Sequence, residues 1–297
     1  MQESLQNINV QRLRSFSAKD MPVDVLRLDR IHPVVSGNKW FKLQFYLQDA
    51  IAQQKNTIAT FGGAWSNHIV AAAFAAKASG LQSIGFIRGD QQVARAETLQ
   101  QAAAYGMKLS FVDRETYRDK ASVINAHPDP GIYWIMEGGY GELGSKGAAG
   151  ILSSADTSSY THILCAVGTG TMLSGLVRAA LPGQNIMGIS VLKNNSGIEA
   201  AIRSLLGSGQ RHQPFSINHD YHFGGYARHP AELIRFMIGL WETEQLPTDI
   251  VYTSKLLFAA RDMLLKNHFP MRARILLVHS GGLQGNHSLP PGTLPFL

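Results

Sequence analysis

The chain has 297 residues, 45% of them apolar and 16% charged, which excludes a disordered protein and leaves room for two domains that share a cleft. Its 27 basic and 21 acidic residues give a net charge of +6, which points to anionic ligands; the arginines (Arg12, Arg14, Arg88, Arg95, Arg203, Arg235 and Arg272) are scattered without interleaved aromatics, so nucleic acid is not expected as a partner. Cys165 is the only cysteine, which excludes an intrachain disulfide or thiolate metal cluster, and the longest uncharged stretch, 157–177, is broken by polar residues and three glycines, so a cytoplasmic protein without a membrane span is expected.

In chain order, the first predicted element is a helix from about Asn38, with Trp40, Leu43, Leu47, Ala50 and Ile51 on one face. A β-branched run at 57–61 predicts a strand, and the Ala-rich segment 69–78 a closely packed helix. Strands at 83–87 and 108–112 flank a helix at 94–105, and another strand is expected at 132–136. The Gly-rich stretch 137–150, EGGYGELGSKGAAG, reads as a domain boundary because it follows a strand and is short of large apolar residues. Beyond it, strands are expected at 162–167, 186–192 and 274–279, with helices at 171–181, 197–206, 230–244 and 255–267. Alternation of short strands with longer helices predicts an α/β fold with parallel sheets.

Three predicted strands run into glycine-rich corners: TFGGAWSNH at 60–68, AVGTGT at 166–171 and VHSGG at 278–282. Open parallel sheets bind ligands at such strand ends, and a corner without side chains lets backbone N–H groups approach an anion at the start of a helix. The corner VGTGTMLSG lacks the third glycine of a dinucleotide fingerprint, since Leu173 stands in its place, so a nicotinamide oxidoreductase is disfavoured. A single phosphate group on Gly168, Thr169, Gly170 and Thr171 fits better. In SGNKWFKL, 36–43, Lys39 falls in the first turn of a helix, three residues from Lys42. The helix dipole and a neighbouring ammonium both disfavour its charged form and make its amine more nucleophilic, as a Schiff-base lysine requires.

Taken in order, SGNKWFKL, GGAWSNH, VGTGT, DYHFGGYA, DIVYTSK and HSGG resemble the pyridoxal-phosphate enzymes typified by D-cysteine desulfhydrase and 1-aminocyclopropane-1-carboxylate (ACC) deaminase, of the tryptophan synthase β-like fold, over about residues 36–285. The resemblance implies two open twisted parallel-sheet domains with pyridoxal 5'-phosphate in the cleft between them: a large cofactor-binding domain from 1–51 and 149–297, and a small one from 52–148. By the same resemblance Lys39 would carry the cofactor and move the α-proton. Asn67 would hold the cofactor phenolate, Gly168, Thr169, Gly170 and Thr171 the phosphate, and Ser280 and Thr253 the ring end. Ser66, Asn67 and His68 would meet the substrate carboxylate, with Ser66 also near the lysine, while Tyr226 and Tyr252 would act on the leaving group.

In the ACC deaminase branch the positions of Thr253 and Ser280 hold Glu and Leu, so the chain is more similar to the desulfhydrase branch. The family's Gln before Ser66 and Thr-Arg after His68 are replaced here by Trp65 and by Ile69 and Val70, which alters the wall of the substrate pocket. The expected reaction is α,β-elimination on a small amino acid to a 2-oxo acid and ammonia, by a homodimer. ACC ring opening and a non-catalytic protein that binds a phosphate ligand are the alternatives. His219, His222 and His229 read as surface or pocket histidines and Cys165 as a packed core thiol, so no metal is expected.

Overall fold

The computed structural model describes residues 2–16, 21–207 and 213–297. It contains two separate sheets. The larger has the order β1 (Val10–Arg12), β2 (Val23–Arg27), β10 (Ile275–His279), β7 (His162–Val167), β8 (Asn185–Ser190) and β9 (Phe215–Asn218), parallel throughout except for the β1–β2 pair. The smaller is wholly parallel, with the order β5 (Met107–Val112), β4 (Gln82–Arg88), β3 (Thr57–Gly62) and β6 (Ile132–Ile135). Helices α1 (Asn38–Ala52), α2 (Asn67–Ala78), α3 (Glu97–Ala104), α4 (Lys120–Asn125) and α5 (Glu142–Ala149) lie in the first half of the chain. Helices α6 (Thr171–Ala179), α7 (Ile198–Leu206), α8 (Ala231–Glu244) and α9 (Thr253–Leu265) complete the set among the described residues.

The predicted strands fall on β3 to β8 and β10, because each is rich in β-branched or aromatic residues; β3, β7 and β10 are buried almost throughout, while β5 and β6, at the edges of the smaller sheet, are mostly half-buried. Strand β2 is hidden in the sequence because its VDVLR run carries two charges. All five of its residues are buried, and the charges are paired: Asp24 accepts from Arg12 and from the Tyr160 hydroxyl at 2.9 Å, while Arg27 bonds Asp29 at 2.6 Å. Strands β1 and β9, of three and four residues, are too short to show a period.

The stretch 137–150 is not the simple loop that its glycines suggest, since α5 occupies most of it. Its glycines serve helix contact. A Cβ on Gly147 would collide with the Phe41 carbonyl of α1, and one on Gly175 of α6 would come within 2.5 Å of the Ala148 Cβ. Small residues at these crossings let α1, α5 and α6 approach one another closely, which sets α1 against the larger sheet's ligand edge.

In each sheet the chain adds strands outward in one direction and then returns to the other side. The reversal lies between β3 and β6 in the smaller sheet and between β7 and β10 in the larger. Parallel sheets open a crevice at the carboxyl ends of such strands.

Candidate active site

One cleft is lined from all four of those strand ends: by Asn67 after β3, Gly138 after β6, Gly168 to Gly170 after β7, and Ser280 to Gly282 after β10. The amino end of α1 contributes Lys39 and Lys42, and the amino end of α9 contributes Tyr252.

Lys39 owes its position to a constrained helix start. Gly37 has φ +65°, and a Cβ there would collide with the Ser280 carbonyl, which also accepts the Asn38 N–H at 2.9 Å. This pins α1 to the loop after β10. The Lys39 ammonium donates to Asn38 Oδ1 at 2.8 Å, and its pKa is brought down to about 8 by burial, with Asp249 acting in the opposite direction. The direction agrees with the sequence reading, but its principal cause is desolvation instead of the neighbouring lysine. That repulsion is felt at Lys42, which is buried, donates to the Gly138 carbonyl at 3.4 Å, and is held well below the usual lysine range by burial and then by Lys39.

The corner after β7 is a cup at the start of α6. Gly170 is left-handed with φ +78°, and its carbonyl accepts the Ser174 N–H at 2.9 Å as the first bond of the helix. A Cβ on Gly170 would lie 2.6 Å from Ile202 Cγ1 of α7. Thr169 and Thr171 share a hydroxyl contact of 3.0 Å, so fully buried Thr171 reaches the cleft through its neighbour. Amides of the first helical turn have no carbonyl partner within the helix, which leaves their N–H groups free to meet an anion at this corner.

Asn67 donates to the Gly282 carbonyl at 2.9 Å, which leaves its second N–H available, and its Oδ1 is buried without a partner. Tyr252 and Tyr226 stand edge to face with ring centroids 6.4 Å apart, and Tyr226 is 50% exposed. Burial and then the facing Tyr226, Asp249 and Glu137 raise the pKa of the Tyr252 hydroxyl well above the ordinary value.

Five expected residues do not line this cleft: Thr171, Tyr226, Ser66, His68 and Thr253. Ser66 occupies the N-cap position of α2, but its side chain makes no capping bond. His68 is buried beneath the corner: Thr60 Oγ1 donates to the Ile135 carbonyl at 2.7 Å and so accepts from His68 Nε2 at 2.8 Å. Burial, then Lys39 and Lys42, lower its pKa far enough to keep the ring neutral. Thr253 is also fully buried, donating to Asp249 Oδ1 at 2.7 Å and accepting the Asp249 N–H at 2.7 Å, so its one hydroxyl proton is already used.

Asp249 went unread in the sequence. It is fully buried and accepts amides of Val251 at 2.9 Å, Tyr252 at 3.0 Å and Thr253 at 2.8 Å, which caps α9 and fixes the backbone that carries Tyr252. The signal was an Asp four residues before a Thr at a helix start. Of the remaining residues, Cys165 is fully buried, its thiol pushed up to about 12 by burial, and His219 pairs with Glu199 at 2.8 Å.

A family model described as pyridoxal-phosphate dependent enzyme matches residues 5–281. A Thermotoga maritima protein provisionally named 1-aminocyclopropane-1-carboxylate deaminase is 28% identical over 95% of this chain and 96% of its own. A Yersinia pestis D-cysteine desulfhydrase is 23% identical over 92% of this chain and 89% of its own. Among solved structures, one described as an ACC deaminase homologue shares the fold, with a TM-score of 0.81 and 24% identity over 94% of this chain and 90% of that one.

Proposed function

The chain belongs to the pyridoxal-phosphate dependent enzyme family, and we propose that within it the protein eliminates a β-substituent from a small amino acid, in the manner of a D-cysteine desulfhydrase. Pyridoxal phosphate is its cofactor, and the residues of the cleft fit that group. A lysine with a lowered pKa, a glycine cup at a helix start and a free amide N–H on Asn67 converge there. When bound, the cofactor supplies an electron sink for negative charge at the substrate α-carbon.

In this reading Lys39 holds the cofactor aldehyde and afterwards moves the α-proton. The amides and hydroxyls of Gly168, Thr169, Gly170 and Thr171 bind the phosphate, and the buried Lys42 amine is a further donor beside them. Asn67 donates to the phenolate. The substrate carboxylate lies on Ser66, Asn67 and His68, at position 68 through the backbone N–H at the start of α2, because the imidazole is spent on Thr60. Tyr252, with the Tyr226 ring against it, carries a proton toward the departing group. Thr253 supports the site through Asp249 and does not touch the cofactor.

The observation that carries the choice of elimination is the Ser280 hydroxyl in a cleft lined, among the described residues, by no carboxylate. A neutral partner leaves a pyridine nitrogen unprotonated and the sink shallow, which suits a reaction whose leaving group takes the electrons. The unmodified holoenzyme should therefore release pyruvate from D-cysteine or β-chloro-D-alanine with a kcat/KM at least tenfold above that for 2-oxobutyrate from ACC. The opposite order would assign ring opening instead, and normal cofactor binding without product from either would leave a binding protein. A second expected outcome separates Thr253 from the site: Thr253→Val should cost about 1–2 kcal/mol in urea unfolding through loss of the cap while cofactor affinity stays within threefold. Unchanged stability with weakened cofactor would return Thr253 to the ring.

The division into 1–51 with 149–297 and 52–148 follows the two sheets, whose strands run over residues 10–27 with 162–279 and over 57–135. A cytoplasmic setting is supported by a single cysteine buried as a thiol, and no helix among the described residues is long and apolar enough to cross a membrane. The homodimer is carried by the family resemblance.

A further inference from the structure

The net positive charge is not used up by the cofactor's phosphate. Arg88 ends β4 beside the corner that leaves β3, since Ile87 pairs with Gly62 in register and the next residues are Arg88 and Gly63. A guanidinium nitrogen lies 3.8 Å from where a Gly63 Cβ would stand, so the corner leaves that side open to it. The Arg88 side chain is exposed and rests over the Tyr117 ring at 5.9 Å. The next cation, Lys120, lies over the same ring at 4.5 Å, but it is spent on Glu137 at 3.1 Å. Among the described residues no carboxylate is within 4.0 Å of Arg88.

The charge of Arg88 also reaches one of the tyrosines assigned to the leaving group. The Tyr226 hydroxyl is shifted upward by burial, Asp249 and Glu137, and Arg88 draws it back. Arg88 therefore stands at the corner that begins the carboxylate loop, and Tyr226 feels its charge. Residue 63 is three residues from Ser66, a span of at most about 10 Å along the loop.

We propose that Arg88 is a specificity-determining residue that selects amino acids bearing a second anionic group on the β-substituent, as in an O-phosphoserine. This rests on the elimination reading above. With such a substrate the α-proton passes to the Lys39 amine, the Cβ–O bond breaks with its electron pair leaving on phosphate, and water hydrolyses the enamine to pyruvate and ammonia. A forked, permanently charged donor suits an oxyanion, and an open corner lets the substrate's outer group reach it.

The test uses holoenzyme with O-phosphoserine and β-chloroalanine, each as both enantiomers, and follows pyruvate. Arg88→Met should lower the ratio of kcat/KM for phosphoserine over chloroalanine at least tenfold, and Arg88→Lys should restore part of it. Arg95→Met, a charge change in the exposed helical turn that follows β4, should leave the ratio unmoved. An unmoved ratio in Arg88→Met overturns the proposal, and so does an equal fall for both substrates, which would place Arg88 on the shared α-carboxylate. If the unmodified holoenzyme yields pyruvate from none of these compounds, the elimination reading fails by itself. Titration of the holoenzyme absorbance with O-phosphoserine and serine then decides Arg88: a tenfold affinity loss in Arg88→Met confined to O-phosphoserine supports the selection, and equal or no loss overturns it.

Discussion

Lys39→Ala should abolish turnover, by at least about 10³-fold, because one residue supplies both the covalent anchor and the proton-transfer base. Borohydride reduction of the unmodified holoenzyme should leave a pyridoxyl mark on Lys39 in a peptide map, and Lys42→Met should keep that mark while binding cofactor more weakly. A mark on Lys42, or equal marking of both, would reverse the assignment. The same residue has a pH signature in the protein freed of cofactor. Its pKa is about 8 when folded, against 10.5 for an ordinary lysine, so between these values the unfolded chain holds more protons than the folded one. Stability must then rise with pH from about 8 to about 10.5, the penalty of burying the charge being complete below that window. Lys42 and Lys255 are shifted in the same sense, so the comparison is with Lys39→Met, whose rise across the window should be shallower. Parallel curves would show that Lys39 keeps an ordinary pKa.

Gly170→Val should weaken cofactor binding by more than tenfold, about 1.4 kcal/mol, because a branched side chain is forced into left-handed backbone where amides must reach the phosphate. The position is less tolerant than a loop glycine in an open cup, since the added Cβ also meets Ile202 at 2.6 Å. Some loss of folding stability is therefore expected as well. Gly183→Val separates the two effects: Gly183 has φ +87° with nothing within 4 Å, so it carries the backbone strain alone. That variant should lose stability and keep its affinity for pyridoxal phosphate, measured by absorbance titration. Equal affinity in Gly170→Val and the unmodified protein would place the phosphate elsewhere.

Several parts of the site could be read locally because their chemistry is local. The glycine corners follow strands and precede helices, and Lys39 sits in the first turn of a helix whose apolar face is plain in SGNKWFKL. The roles of His68 and Thr253 were not readable this way. Both carry polar side chains next to cleft residues, and only the partners Thr60 and Asp249, eight and four residues away, show that their hydrogen bonds are already engaged. Glycine was ambiguous for a related reason. In 137–150 it reads as loop, while its use at Gly147 is to admit the Phe41 backbone of another helix, a contact without local trace.

The periodicity and composition of the chain determined by themselves that it alternates strand and helix, that its sheets are parallel, and which corners are free of side chains. Local patterns record which face of an element avoids water, and that information survives in a short window. Strand order does not. Residues 23–27 pair with 275–279, and those with 162–165, so the crevice after β7 and β10 exists only because distant segments are hydrogen-bonded side by side. Tertiary packing alone placed Lys39 against Ser280, buried Lys42 beside it, and left Arg88 without a carboxylate partner among the described residues. The low polarity that shifts the lysines is a property of the assembled cleft, because desolvation depends on everything packed around a charge and not on its neighbours in sequence.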